Sequence, residues 1–299
     1  MNQHILITGG TGFIGQLLCH QLHYEGRSLT VLSRRDDAEV QRLCGRVQVI
    51  HSLDEVPTIP TIDAVINLAG EGIAEKRWTQ KRKQTLWDSR IAFTDELVSQ
   101  LQRRAALPEA MISGSAVGYY GDQGEADVTE ATEPRDEFTH RLCAAWEASA
   151  TRLSGDTRVC LSRTGLVIGR DGGFLQQMLP LFRLGLGGRL GNGRQYMPWI
   201  HRQDMVQGLI HLLDSPELSG AFNLTAPEPV TNAEFTRALA QVLNRPACLP
   251  VPPVALRLAL GEMARLLLTG QKARPARLLE SGFVFQYPSV EQALTEAVG

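Results

Sequence analysis

Apolar residues fall along this chain in two alternating rhythms. The first is a set of short, often β-branched runs that stop at glycines or small polar residues. His4–Thr8, Ser28–Ser33, Ile62–Asn67, the stretch from Glu109 towards Ser115, the stretch from Thr157 to Gly169, and Gly220–Thr225 are of this kind. They predict buried strands. The second rhythm is helical. Phe13, Ile14, Leu17, Leu18 and Leu22 recur on one face before Gly26 supplies a stop. Similar spacing runs from Lys76 through Arg90 to Leu101, over Phe138–Glu147, from Asp204 to Leu213, from Phe235 to Leu243, and through Met263 and Leu267. Strands alternating with helices predict an α/β chain with a parallel sheet.

Between the first strand and the first helix lies Gly9-Gly10-Thr11-Gly12-Phe13-Ile14-Gly15. Glycines at this spacing allow a tight turn, a close backbone approach to a pyrophosphate, and packing of helix on strand. The helix start then offers free N–H groups to the phosphates. Gly9, Thr11, Gly12, Phe13, Ile14 and Gly15 are therefore candidate dinucleotide contacts. The second strand ends in Leu32-Ser33-Arg34-Arg35, with no acid to bond a ribose 2′-hydroxyl. Ser33 and Arg34 suit a 2′-phosphate instead, so the expected cofactor is NADP(H). Leu68, Ala69 and Gly70 close the strand from Ile62 and would lie along the cofactor.

Composition narrows the class. The 299 residues carry 30 Lys+Arg against 32 Asp+Glu, a formal net charge of -2. That argues against nucleic acid or an anionic membrane surface as a general partner. Five cysteines (Cys19, Cys44, Cys143, Cys160 and Cys248) are scattered, odd in number and without a CxxC. They point to a reduced, cytoplasmic chain rather than a disulfide framework or a zinc site. The N-terminal apolar stretch is too short for a signal peptide. The window nearest to a membrane span, Val251–Leu268, contains Arg257, Glu262 and Arg265.

The motifs together resemble a known family. Thr8–Gly15, Asn67–Gly70, the Ser115 loop and Pro198–Asp204 look like the extended short-chain dehydrogenase/reductases of the NAD(P)-dependent epimerase family. Glu71–Trp78, Gly114–Asp122, Phe182–His201 and the tail from Gly261 to Phe285 resemble its YfcH-like subgroup, which carries a C-terminal domain of unknown function. The resemblance implies a Rossmann-type doubly wound parallel sheet over 1–170, with a strand near 220–226 rejoining it. It also implies a smaller C-terminal α/β substrate domain over 171–299, including a subgroup-specific segment at 248–296. Val167 and Arg90 become further cofactor contacts. By analogy with the family, a homodimer is expected.

One departure stands out. Active members of the wider family carry Tyr-x-x-x-Lys on one helix face, the Tyr as general acid/base and the Lys as its electrostatic partner. Here Thr139 and Cys143 occupy those positions. Ser115, Tyr119 and Tyr120 remain as candidate catalytic residues, with His140 as a further proton donor. Arg163 is read either as a substrate contact or as a buried structural pair. The glycine-rich run from Leu184 to Tyr196 is expected to close over substrate, with Arg189 and Arg194 holding phosphate or carboxylate. Asp204 and Asn232 are expected helix caps. The implied activity is an NADP(H)-dependent oxidoreductase or epimerase acting on a small polar, nucleotide-sugar-like molecule. The alternative is a non-catalytic NADP(H)-binding regulator that senses redox state. No His/Asp/Glu cluster has metal-ligand spacing.

Overall fold

The apolar runs become strands of one sheet, and the helical rhythms become its covers. The computed structural model describes residues 3–170 and 172–299; Met1, Asn2 and Asp171, the first residue of the expected second domain, lie outside them. Strands β1 (His4–Thr8), β2 (Ser28–Leu32), β3 (Gln48–Ile50), β4 (Ala64–Asn67) and β5 (Ala110–Ala116) alternate with helices. These are α1 (Phe13–Tyr24), α2 (Asp37–Cys44), α3 (Gln80–Trp87) and α4 (Phe93–Gln102). The short strand β6 (Asp127–Val128) and α5 (Phe138–Thr151) lead to β7 (Arg158–Thr164), β8 (Leu166–Ile168) and α6 (Gly173–Arg183). Next come β9 (Tyr196–Met197), β10 (Trp199–His201), α7 (Arg202–Asp214), β11 (Gly220–Leu224), β12 (Val230–Thr231) and α8 (Asn232–Leu243). The C-terminal stretch adds α9 (Pro253–Leu260), α10 (Arg265–Leu268), β13 (Lys272–Ala273), α11 (Ala276–Glu280) and α12 (Val290–Val298).

Seven parallel strands form the main sheet in the order β11-β7-β5-β4-β1-β2-β3. The chain leaves β1 towards β2 on one side, and β4 returns on the other. Beyond the carboxyl ends at this switch point a doubly wound sheet forms its ligand crevice. Side-chain alternation explains why both faces are covered. Ile5, Ile7, Ile66 and Ile112 pack with Leu18 and Leu22 of α1 and with Met205 and Leu209 of α7. Leu6, Val65 and Met111 point the other way, onto Leu97 and Leu101 of α4. Each such side chain, removed from water, stabilises the fold by about 1.5–3 kcal/mol.

A third core joins Trp199 of β10, Phe235 and Leu239 of α8, and Ala293 and Leu294 of α12. The C-terminal stretch thus packs back on the chain, and β13 adds a parallel partner to β6. Among the described residues, no helix is long and apolar enough to cross a membrane.

Several local expectations change. The helix expected through Met263 and Leu267 is broken at Gly261, which adopts φ 61 and opens a 3-10 turn over Gly261–Ala264. The stretch from Lys76 becomes helical only at Gln80, with Thr79 as its cap. Its Arg82 is buried against Glu71 rather than solvated. Asp204 is not the cap of α7; His201 is. The buried Asp204 carboxylate instead accepts the backbone N–H groups of Gln286 and Tyr287, at 2.7 and 2.9 Å, and so anchors the C-terminal stretch. Asn232 is likewise replaced as cap by Thr231, which forms a capping box with Glu234. The buried Asn232 accepts the Leu190 N–H at 2.7 Å.

Candidate active site

The glycine loop sits at the carboxyl end of β1, against the carboxyl end of β4. Gly9 adopts φ 71, and a Cβ there would lie 2.6 Å from the Leu68 carbonyl oxygen. At Gly15 a Cβ would lie 2.3 Å from the Gly9 carbonyl oxygen. A side chain at Gly9 would force the glycine loop off the Leu68–Ala69 turn, and one at Gly15 would force α1 off the glycine loop. Beneath them the Thr8 hydroxyl donates to Asn67 Oδ1 at 2.6 Å and accepts from the Ala69 N–H at 3.2 Å. Helix α1 starts at Gly12 with no side-chain cap and no acid in its first turn. That leaves its N-terminal N–H groups and dipole end to an anion. Phe13 reaches sideways under Gly169, Gly172 and Gly173, close to the strand carrying Val167, and its ring lies 4.4 Å from the Arg202 guanidinium.

Arg34, at the end of β2, is exposed and makes no ion pair among the described residues. Arg35 is committed to Glu39. The hydroxyl of the buried Ser33 accepts the Arg35 N–H at 3.2 Å, which fixes the turn. The loop thus carries one unspent cation beside the crevice, a fit for a dinucleotide phosphate. Arg90 lies beneath Gly70, donating to the Glu71 carbonyl at 2.8 Å, with its guanidinium 5.2 Å from the Trp146 ring. It supports the Leu68–Glu71 turn and acts electrostatically on Cys143.

A cavity of about 530 Å³ opens where β5 and β7 end. Its floor is formed by Ala116–Gly118 after β5, by Thr139 and Cys143 on α5, and by Thr164–Leu166 after β7. Its far wall is formed by Leu190, Gln195, Tyr196 and Met197, with Arg265–Leu267 and Gln271 from the C-terminal stretch. Gly118 packs closely on α5, since a Cβ there would lie 3.1 Å from Thr139 Cβ. The Tyr-x-x-x-Lys positions therefore do face a cavity, but they present an alcohol and a thiol. Burial, assisted by the nearby Glu147 carboxylate, pushes the Cys143 thiol up to about 12, so it is uncharged at neutral pH.

Ser115, Tyr119 and Tyr120 are brought together, but below the cavity. The Ser115 hydroxyl donates to Glu147 Oε1 at 2.6 Å. Tyr120 is fully buried; its hydroxyl donates to Asn223 Oδ1 at 2.7 Å and accepts from Arg163 Nη1 at 3.0 Å. Burial raises the Tyr120 phenol to about 12. The Arg163 guanidinium lies 3.4 Å from the centre of the Tyr119 ring, and His140 Nδ1 is 2.7 Å from the Tyr119 carbonyl oxygen. These are the three side chains that the sequence offered for polarising a substrate oxygen. None of the three lines the cavity, and the Ser115 and Tyr120 hydroxyls are engaged by Glu147, Arg163 and Asn223. The physical reason is Glu147, a buried carboxylate that needs both a cation and a donor. Its place on α5, one turn beyond Cys143 and on the sheet-facing side, was the sequence signal for it.

The glycine-rich loop does reach the cavity through Leu190, Gln195 and Tyr196. Its arginines do not. Arg194 points outward to Glu125, and the two side chains are 73% and 61% exposed. Arg189 lines a separate surface depression beside α8. Tyr196 ends the run expected to close over substrate but was not singled out as a site residue, because its register on the two-residue strand β9 is set by pairing with β12.

Residues 5–225 match the NAD dependent epimerase/dehydratase family, and residues 251–297 match a domain of unknown function, DUF1731. An epimerase family protein of Mycobacterium leprae is 40% identical over 98% of this chain and 95% of its own length. Epimerase family protein YfhF of Bacillus subtilis is 37% identical over 99% of this chain and 98% of its own. The crystal structure of human epimerase family protein SDR39U1 (isoform 2) with NADPH is similar at a TM-score of 0.91 and 34% identity, covering 99% of both chains. With its glycine loop, its sheet order and a match of this extent, the chain belongs to the NAD dependent epimerase/dehydratase family of short-chain dehydrogenase/reductase-like proteins and ends in a DUF1731 segment.

Proposed function

We propose that the protein is an NADP(H)-dependent oxidoreductase that interconverts a carbonyl compound and its alcohol. The observation that carries this reading is the position of the cavity. It opens at the carboxyl ends of β5 and β7, on the same edge of the parallel sheet as the uncapped start of α1 after β1. The NADPH bound to the human relative supports the choice of cofactor. Gly9, Thr11, Gly12, Phe13, Ile14 and Gly15 would hold the pyrophosphate, and Ser33 and Arg34 the 2′-phosphate. Leu68, Ala69, Gly70, Arg90 and Val167 would flank the rest. When bound, the cofactor supplies or accepts the hydride.

The chain's own contribution is binding, orientation and a proton. Tyr196 is the phenol that lines the cavity. Of the other four tyrosines, Tyr24 is 87% exposed, Tyr119 and Tyr120 belong to the buried network, and Tyr287 stacks on His201 at 3.9 Å. The ammonium of Lys272 lies 5.6 Å from the Tyr196 ring centre. Tyr196 and Thr139 therefore take the place of the missing pair as hydrogen-bond donors to a substrate oxygen. Arg90 brings positive charge close to Cys143.

A second reading, a redox-sensing regulator, is favoured by the neutral Cys143 and by Thr139. Calorimetric titration with NADPH and then NADP+ separates the two. Similar affinities for the two forms support the oxidoreductase. A preference of tenfold or more, about 1.4 kcal/mol, supports the regulator, because a ligand shifts an equilibrium only by its differential affinity. No binding of either form would refute both.

A further inference from the structure

We infer that the cavity takes a neutral, largely apolar carbonyl compound or its alcohol, and not a nucleotide-linked sugar. This rests on the oxidoreductase reading above and concerns the same site. The first observation is charge. The charged side chains lining the cavity are Asp136, Glu137, Glu262 and Arg265, so three carboxylates face one guanidinium. That guanidinium is already paired with Glu137. Asp136 pairs with Arg141, and Glu262 pairs with Lys83. Among the described lining residues no unspent cation remains. A diphosphate entering the cavity would find no free cation to neutralise it, because each charged group here is already paired. The two arginines that the sequence offered for this purpose, Arg189 and Arg194, lie on other surfaces.

The second observation is the wall. Ile73 and Trp78 from the loop after β4, Phe138 at the start of α5, Leu166, Phe174 and Leu266 line the cavity with carbon. Trp78 and Phe138 meet edge to face at 5.0 Å, and the Trp78 N–H is held by the Ile73 carbonyl at 2.9 Å. Leu266 belongs to the DUF1731 segment and packs on the same cluster. The C-terminal segment thus closes the cavity with an apolar surface. Burying a ligand's apolar body against it is favourable, and Tyr196 and Thr139 orient its one polar end. The reaction in the reducing direction balances simply. A hydride from NADPH forms the new C–H bond at the carbonyl carbon, the C=O π bond breaks, and the oxygen takes a proton from Tyr196, which solvent replaces.

The test uses the full chain saturated with NADP+ and two probes, menadione as a small apolar quinone and UDP-glucose. Menadione is expected to quench tryptophan fluorescence with a micromolar midpoint, and UDP-glucose to give no calorimetric signal up to millimolar concentration. Ile73→Glu and Leu266→Glu are each expected to weaken menadione tenfold or more while leaving NADPH affinity unchanged, which also shows that these variants fold. Leu184→Glu, at an exposed position away from the cavity, is expected to bind like the parent. Tight UDP-glucose binding, or menadione binding that neither cavity variant weakens, overturns the inference. Loss of NADPH binding in the parent protein would instead strike the oxidoreductase reading, and menadione binding to the apo-protein would still report on the cavity.

Discussion

Arg163 and Glu147 hold each other through two parallel hydrogen bonds, Nε to Oε1 at 2.8 Å and Nη2 to Oε2 at 2.9 Å, with both side chains buried. The pair joins β7 to α5 directly below the cavity, and Ser115 and Tyr120 complete it. Removing one partner leaves a buried charge without compensation, at a cost of about 3–5 kcal/mol. Glu147→Leu and Arg163→Met should each lower the urea midpoint strongly, and the double variant should recover part of the loss. A loss in the double variant equal to the sum of the two single losses would show that the pair is not coupled.

Arg34 is the expected reader of the 2′-phosphate. Arg34→Glu should weaken NADPH tenfold or more and leave NADH within about threefold, since only the former carries the extra dianion. Calorimetry at low salt gives the comparison. Parallel losses for both dinucleotides would assign Arg34 to general steering.

Acid should loosen the C-terminal stretch through His201. Burial lowers its pKa from 6.5, against the opposing pull of Glu296 and Asp204 and with Arg202 nearby. Between 6.5 and the lower folded value, the unfolded chain binds more protons, so stability is full above 6.5 and falls as pH drops through that window. Asp204 acts in the opposite sense, since burial raises its carboxyl above 3.8 and favours the folded state at lower pH. The melting temperature should fall by a few degrees between pH 7.5 and 5.5, and the fall should shrink in His201→Asn. An unchanged slope in that variant would place the titration elsewhere.

Thiol chemistry offers a quick check on the core. Cys19, Cys44, Cys143 and Cys160 are buried, and Cys248 is exposed. The native protein should show one fast thiol with a disulfide reagent, and denaturant should release the other four. Fast reaction at Cys143 would contradict its burial and raised pKa.

The sheet was legible because each strand is a short apolar run closed by glycine or a small polar residue, and the βαβ start because three kinds of element appear in order. The Gly9–Gly15 loop and the Leu68–Gly70 turn could be placed together for the same reason. The roles of Ser115 and Tyr120 could not. Their hydroxyls are captured by Glu147 and by Asn223, a residue 103 positions from Tyr120 in sequence, and no local pattern announces that pairing. Asp204 and Asn232 looked like caps because acids and amides often are, but each is buried and used by a distant backbone N–H instead. Arg189 is held by the strap near Val251, whose N–H bonds to the Arg189 carbonyl at 2.9 Å, and Arg194 is turned outward by Glu125, 69 positions away.

NADP(H) is expected to lie across the glycine loop with its reactive end in the cavity. A crystal structure of this protein with NADPH tests it most directly. The pyrophosphate is expected at the N-terminus of α1, the 2′-phosphate at Arg34, and the nicotinamide between Thr139 and Thr164–Leu166, with Tyr196 facing it. A nicotinamide outside the cavity, or a pyrophosphate away from Gly12–Gly15, would contradict it.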